Sequence, residues 1–137
     1  MREHEIREIL TVHENVAIVG MSTDPHKPGN QVPHYLARHG YRIFPVTKKV
    51  AEIDGLGTFP DLSSIPERVD IVNIFVRAEK VPEIVEQAIE IGAKVIWMQQ
   101  GISHAEAAAR AREAGLLVVQ NACMRAMHRH IFNVQDW

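Results

Sequence analysis

A chain of 137 residues, 46% apolar and 23% charged, has the size and composition of one globular domain with its own core. A formal charge of −2 argues against a general nucleic-acid or membrane-surface binder, and no apolar run approaches the ~20 residues of a membrane span. The single cysteine, Cys123, excludes an internal disulfide, and the polar start Met1-Arg-Glu-His-Glu5 lacks a signal peptide's apolar segment, so the expected location is cytoplasmic.

Residues 2–12 place Ile6, Ile9, Leu10 and Val12 on one helical face and Glu and Arg on the other, an amphipathic helix. Val16 to Val19 follow as a strand buried on both faces, ended by Gly20. Ser22, Thr23 and Asp24 then offer short polar groups and N–H donors, at the place where an α/β protein holds the phosphates of a nucleotide. One glycine stands where a dinucleotide fingerprint needs three, so the usual NAD loop is not written here.

Residues 25–30 are rich in turn formers and end in a helix cap at Asn30. A helix over 31–39 carries Pro33 in its first turn, Val32, Tyr35 and Leu36 on its apolar side, and Gly40 as its stop. The second strand is 41–46, with Pro45 placing its end at a sheet margin or a ligand loop. Residues 47–58 read as a polar connection, and 61–66 as a short helical turn closed by Pro66. The third strand is 70–76, with Arg77 just past it. A helix over 79–91 has Pro82 in its first turn and stops at Gly92. Strand four, 94–98, runs into Gln99, Gln100 and Gly101. Ser103 caps a helix to Glu113, with Glu106 at the capping-box position and Gly115 as the stop. Strand five is 116–119, and the tail from Cys123 to Phe132 is helical in composition.

Five apolar strands alternating with helices specify one α/β domain over 1–137. The expected fold is a Rossmann-like, doubly wound five-stranded parallel sheet of order 3-2-1-4-5 with helices on both faces. That order puts the switch point between strands one and four.

The motifs Val-Gly-Met-Ser-x-x-Pro (19–25), His-Gly-Tyr-Arg-Ile-Phe-Pro-Val (39–46) and Gly-Ala-Lys-Val-Ile-Trp-Met-Gln-Gln-Gly (92–101) stand in this order. With Ser-Ile-Pro and Val-Asp-Ile-Val between 64 and 72, and Cys123 followed by His128, they cover nearly the whole chain. The chain resembles the small stand-alone CoA-binding domain proteins, similar in fold to the CoA-binding domain of the succinyl-CoA synthetase α subunit. The resemblance implies coenzyme A as the cofactor. Gly20, Met21, Ser22 and Thr23 would face its pyrophosphate and Lys27 a phosphate. Val46, Thr47 and Lys48 would line the nucleotide, and Val76, Arg77, Met98, Gln99 and Gln100 the opposite wall. The chain departs from the family at Val46-Thr-Lys48, where Val-Asn-Pro is usual, at Lys27-Pro-Gly-Asn30 for Arg-Pro-Ser, and at Asn121 for Asp.

Charge agrees independently of the resemblance. Lys27, Lys48, Lys49 and Arg77 stand beside strand ends in a chain that is acidic overall, which suits a strongly anionic ligand. No acidic residue closes the second strand, which disfavours an NAD ribose and leaves NADP as an alternative nucleotide. Cys123, just after the fifth strand, can be a buried apolar residue, a nucleophile toward a thioester, or the partner of CoA in a mixed disulfide. His128 and His130 lie two apart on a helix and point in different directions, so a metal site is not expected. The ligase relatives work through a phosphohistidine loop and further domains, for which a chain running to Trp137 has no room. The expectation is a non-catalytic module binding CoA or an acyl-CoA, as a homodimer, without nucleic-acid or membrane partners. The alternative is an enzyme handling a CoA thioester through Cys123.

Overall fold

Strand β1 (Asn15–Val19) is buried along its whole length, as a run of small and β-branched residues between two parallel neighbours has to be. The computed structural model describes residues 1–135. Before β1 comes helix α1 (Glu3–Val12), and after it α2 (Pro28–Arg38), β2 (Arg42–Val46) and a small hairpin, β3 (Glu52–Ile53) with β4 (Leu56–Gly57). Then follow β5 (Ile71–Ile74), α3 (Val81–Glu90), β6 (Val95–Met98), α4 (Ala105–Glu113), β7 (Leu117–Val119) and α5 (Met124–Phe132). Among the described residues, no helix is long and apolar enough to cross a membrane.

The main sheet is parallel throughout, in the order β2-β1-β5-β6-β7. Counting its own strands, that is 2-1-3-4-5. The doubly wound five-stranded class stands, while the order 3-2-1-4-5 is corrected. Pro45 gives the reason. Val46 accepts a hydrogen bond from Gly20 N–H on the β1 side, so the preceding residue turns its backbone outward, where the Pro45 carbonyl accepts from Phe59 N–H at 2.9 Å. The N–H that proline lacks therefore falls on the outer edge, and a full strand there would miss a ladder bond. The chain instead crosses back and lays β5 beside β1, pairing Val16 with Ile71 and Val19 with Ile74. The switch point thus lies between β1 and β5.

One face of the sheet packs on α3 and α4 through aliphatic residues such as Val81, Val85, Ala88, Ala108 and Ala111. The other packs on α1, α2 and α5, with Ile9, Leu10, Tyr35, Leu36, Trp97 and Met124 fully or almost fully buried. Val12 stays exposed, contrary to the expected stripe, because α1 turns it away at its last position. Several boundaries also move. Helix α2 starts at Pro28, whose fixed φ suits a first helical position, so Asn30 is inside the helix and not its cap. Helix α4 is capped by His104, whose Nδ1 accepts from Ala107 N–H at 3.1 Å, and not by Ser103. The polar connection 47–58 contains a hairpin whose turn, Asp54-Gly55, has positive φ at both residues. Asp-Gly is the usual dipeptide of such a turn.

Candidate functional site

A cleft of about 840 Å³ opens at the carboxyl ends of the strands, over the β1/β5 switch point. An open α/β sheet places its ligands there. Its floor begins at Gly20, which has φ +84° and lies so close to β5 that a Cβ would stand 2.9 Å from Val76 Cγ1. Only glycine fits both demands. The loop after it folds back on the start of α2. Ser22 Oγ accepts from Asp24 N–H at 3.0 Å, and Asn30 Nδ2 donates to the Ser22 carbonyl at 2.9 Å.

A third tether has an unusual origin. Pro33 sits inside α2 and has no N–H to give the carbonyl of Gly29, four residues back. That carbonyl accepts from Ser22 N–H instead, at 3.0 Å. Gly29 itself lies close enough to Ser22 that a Cβ would come within 3.3 Å of Ser22 Cβ. The loop and the helix start are thereby held as one unit. Of the loop amides, Gly20 and Ser22 are committed to Val46 and Gly29, while Met21 and Thr23 have no hydrogen-bond partner among the described residues. Together with the positive end of α2 they form an anion-receptive corner.

Of the thirteen residues expected from the sequence, Gly20, Met21, Ser22, Thr23, Lys27, Thr47, Gln99 and Gln100 line this cleft. Five do not. Val46 and Met98 are buried in the aliphatic core, because alternate residues of a strand end point into a face and not into the crevice. Val76 packs against the same core beneath Gly20. Arg77 is 83% exposed and points to Glu79, 3.7 Å away. Lys48 does not line the cleft, and its neighbour Lys49 takes the lining position.

Pro28, Gly29, Lys49, Val50, Phe75, Ile102, Cys123 and Arg125 complete the lining. Of these, the sequence singles out Lys49 for its charge and Cys123 for its thiol. Nothing in it points to Arg125, which comes from the second position of α5 and also donates to Gln31 Oε1 at 3.5 Å. The cleft thus gathers Lys27, Lys49 and Arg125, and no carboxylate among the described residues lines it. That makes it a basic pocket in an acidic chain.

The other polar clusters lie elsewhere. His128 is buried between helices with Nδ1 2.7 Å from the Tyr35 hydroxyl, and His130 pairs with Glu3 at 2.6 Å on the surface. Asp54, at the hairpin tip, accepts from Asn30 Nδ2 at 2.9 Å and lies 2.8 Å from His34 Nε2. These hydrogen bonds, His34 first, hold its carboxyl below the ordinary range and tie the hairpin to α2.

The family model for the CoA binding domain matches residues 14–129. The chain belongs to the CoA-binding domain family. Its matched region takes in every strand of the main sheet and all the cleft residues. Among family relatives, Uncharacterized protein YneT of Bacillus subtilis is 35% identical over 124 residues, covering 90% of this chain and 92% of that protein. The alpha subunit of ADP-forming acetate–CoA ligase I of Pyrococcus furiosus is 34% identical over 95 residues, 65% of this chain. This CoA-binding domain matches only 21% of that subunit's length. A solved hypothetical protein from Pyrococcus horikoshii OT3 superposes with a TM-score of 0.94 at 40% identity, covering 96% of this chain and 93% of that one.

Proposed function

We propose that this protein binds coenzyme A or an acyl-CoA in the cleft without transforming it. The observation that carries the proposal is the basic cleft at the switch point, where Lys27, Lys49 and Arg125 surround unpaired loop amides and the start of α2. Phosphates are the ligand groups that such a corner receives best, and CoA carries three. The groups gathered there are cations, amides, hydroxyls and one thiol, a set that holds an anion without an evident acid–base pair. Membership of the family supports CoA over other phosphate ligands. On this reading the module works in the cytoplasm, as a homodimer, to sense, store or present the cofactor.

The test is a thermal-shift panel of CoA, acetyl-CoA, NAD and NADP. A ligand at a hundred times its Kd adds about 2.7 kcal/mol, a rise on the order of 10 °C for a chain of this size. A rise with CoA or acetyl-CoA alone is expected. A rise with NADP alone, or with none of the four, removes the proposal. Light scattering reads the assembly, and a monomer mass removes the homodimer.

A further inference from the structure

The cleft has two unlike ends. At β1 and α2 it offers backbone amides and cations; beyond β6 and β7 it offers Gln99 and Cys123. Gln99 is only 3% exposed. Its Oε1 accepts from Met124 N–H at 3.4 Å, and its buried Nε2 has no hydrogen-bond partner among the described residues, in a residue that lines the cleft. An unpaired buried amide is unfavourable, and a ligand carbonyl accepting from it would relieve that cost. Cys123 is the residue before Met124, half-buried at the start of α5, and it lines the same cleft. A donor without an acceptor and a cysteine thus belong to one end of the cleft.

The spacing of the sheet relates this pair to the phosphate corner. From β1 to β7 there are three strand intervals, about 14 Å in all. Coenzyme A has its phosphates at one end and its thiol at the other, joined by an arm with two amide groups. With the pyrophosphate at Met21 and Thr23, the arm would cross the strand ends past Gln99 toward Cys123.

We propose that Cys123 captures the cofactor's thiol end as a mixed disulfide, with Gln99 Nε2 donating to an amide carbonyl of the arm. This rests on the coenzyme A reading of the cleft. The oxidant is CoA disulfide. The Cys123 thiolate attacks one sulfur of the CoA–CoA bond, a protein–CoA S–S bond forms, and the CoA–CoA bond breaks. The departing CoA leaves with the electron pair as a thiolate and takes up the proton that Cys123 lost. Cys123 is oxidised and half of the CoA disulfide is reduced, so atoms and electrons balance. A free thiol reverses the exchange and returns the cleft to reversible binding.

The experiment uses the full chain, reduced and desalted, mixed with CoA disulfide or with glutathione disulfide at equal concentration. Intact mass is followed under non-reducing conditions. A single CoA adduct is expected to form at least about tenfold faster than the glutathione adduct, to vanish with dithiothreitol and to be absent in Cys123→Ser. Equal rates, or no CoA adduct, overturn the proposal. Gln99→Leu removes the donor from a buried site and is expected to cut the CoA preference by about tenfold; an unchanged preference overturns the part given to Gln99. In parallel, reduced CoA is titrated under reductant into wild type and Cys123→Ser, which reads binding apart from disulfide formation. Binding there without a selective adduct sinks the disulfide alone, whereas no binding to either protein sinks the coenzyme A reading and the disulfide with it.

Discussion

The two faces of the main sheet are built differently. Under α3 and α4 the apolar core is aliphatic, Val, Ile, Leu and Ala, with one buried Phe and one Met. Under α1, α2 and α5 it carries Tyr35, Tyr41, Trp97, Asn73 and His128. Here the side chains are fastened by directional bonds: Trp97 Nε1 donates to the Ala122 carbonyl at 2.8 Å, and Asn73 Nδ2 to Met124 Sδ at 3.3 Å. Burial, with Tyr35 close by, pushes the Tyr41 hydroxyl up to about 12, so it stays protonated and donates to the Leu10 carbonyl. The difference follows the site. Helices α2 and α5 deliver Pro28, Gly29 and Arg125 to the cleft, while α3 and α4 deliver no residue of their own spans. Apolar contact holds a helix against a sheet, but it leaves sliding and rotation cheap; hydrogen bonds fix the position of a helix that must present a ligand group.

The largest expected effect separates the two faces. Trp97→Ala should cost about 4 kcal/mol in urea unfolding and also weaken CoA binding, because it releases Ala122 beside Cys123. Ile96→Ala, one residue away on the aliphatic face, should cost about 3 kcal/mol and leave the affinity of the folded protein unchanged. If both variants bind alike, the division of labour between the faces is wrong.

Within the cleft, Lys27→Ala should weaken CoA binding by about tenfold in calorimetry, which is about 1.4 kcal/mol. Arg77→Ala, outside the cleft and 83% exposed, should leave the titration unaltered. Tyr35→Phe removes the 2.7 Å bond to His128 and should lower stability by about 1 kcal/mol, with a smaller loss of affinity as α2 and α5 gain play.

The smallest effect belongs to neither face. Asp54, Asp61 and Glu67 are surface carboxyls held below their ordinary range, chiefly by hydrogen bonds from His34, Ser64 and Arg42 respectively. Because the folded protein lowers these values, their contribution is complete above about pH 5 and fades as pH falls through the folded values. Urea midpoints should drop on the acid side, and Asp54→Asn should flatten part of that drop. A midpoint independent of pH below 4 would contradict the hairpin tether.

Much of this molecule is legible in residue order. Period and punctuation locate the five main strands, Gly20 marks the floor of the site, and Lys27 and Gln99 fall at strand or helix ends where the fold must gather them. Pro45 already held the evidence on strand order, since a proline at a sheet margin does not sit well in the interior position that 3-2-1-4-5 assigns to strand two. Asp54-Gly55 likewise spelled a hairpin inside a stretch read as irregular. Val46 and Met98 stand at strand ends by position, but the alternation of the strand sends both side chains into the core. Arg125 is different in kind. Nothing local distinguishes it from Arg129, and only the docking of α5 against the sheet carries it into the cleft.

The hydrogen that Pro33 lacks has a consequence for how this protein can vary. A helix normally keeps its carbonyls for itself, and the one at Gly29 is lent to the ligand loop only because its natural claimant is silent. Alanine at 33 would restore that claimant. The helix would gain, the loop would lose its exclusive hold, and folding strength and ligand affinity would move in opposite directions. A search for hardier versions of this chain that tracked melting temperature alone would select against the site.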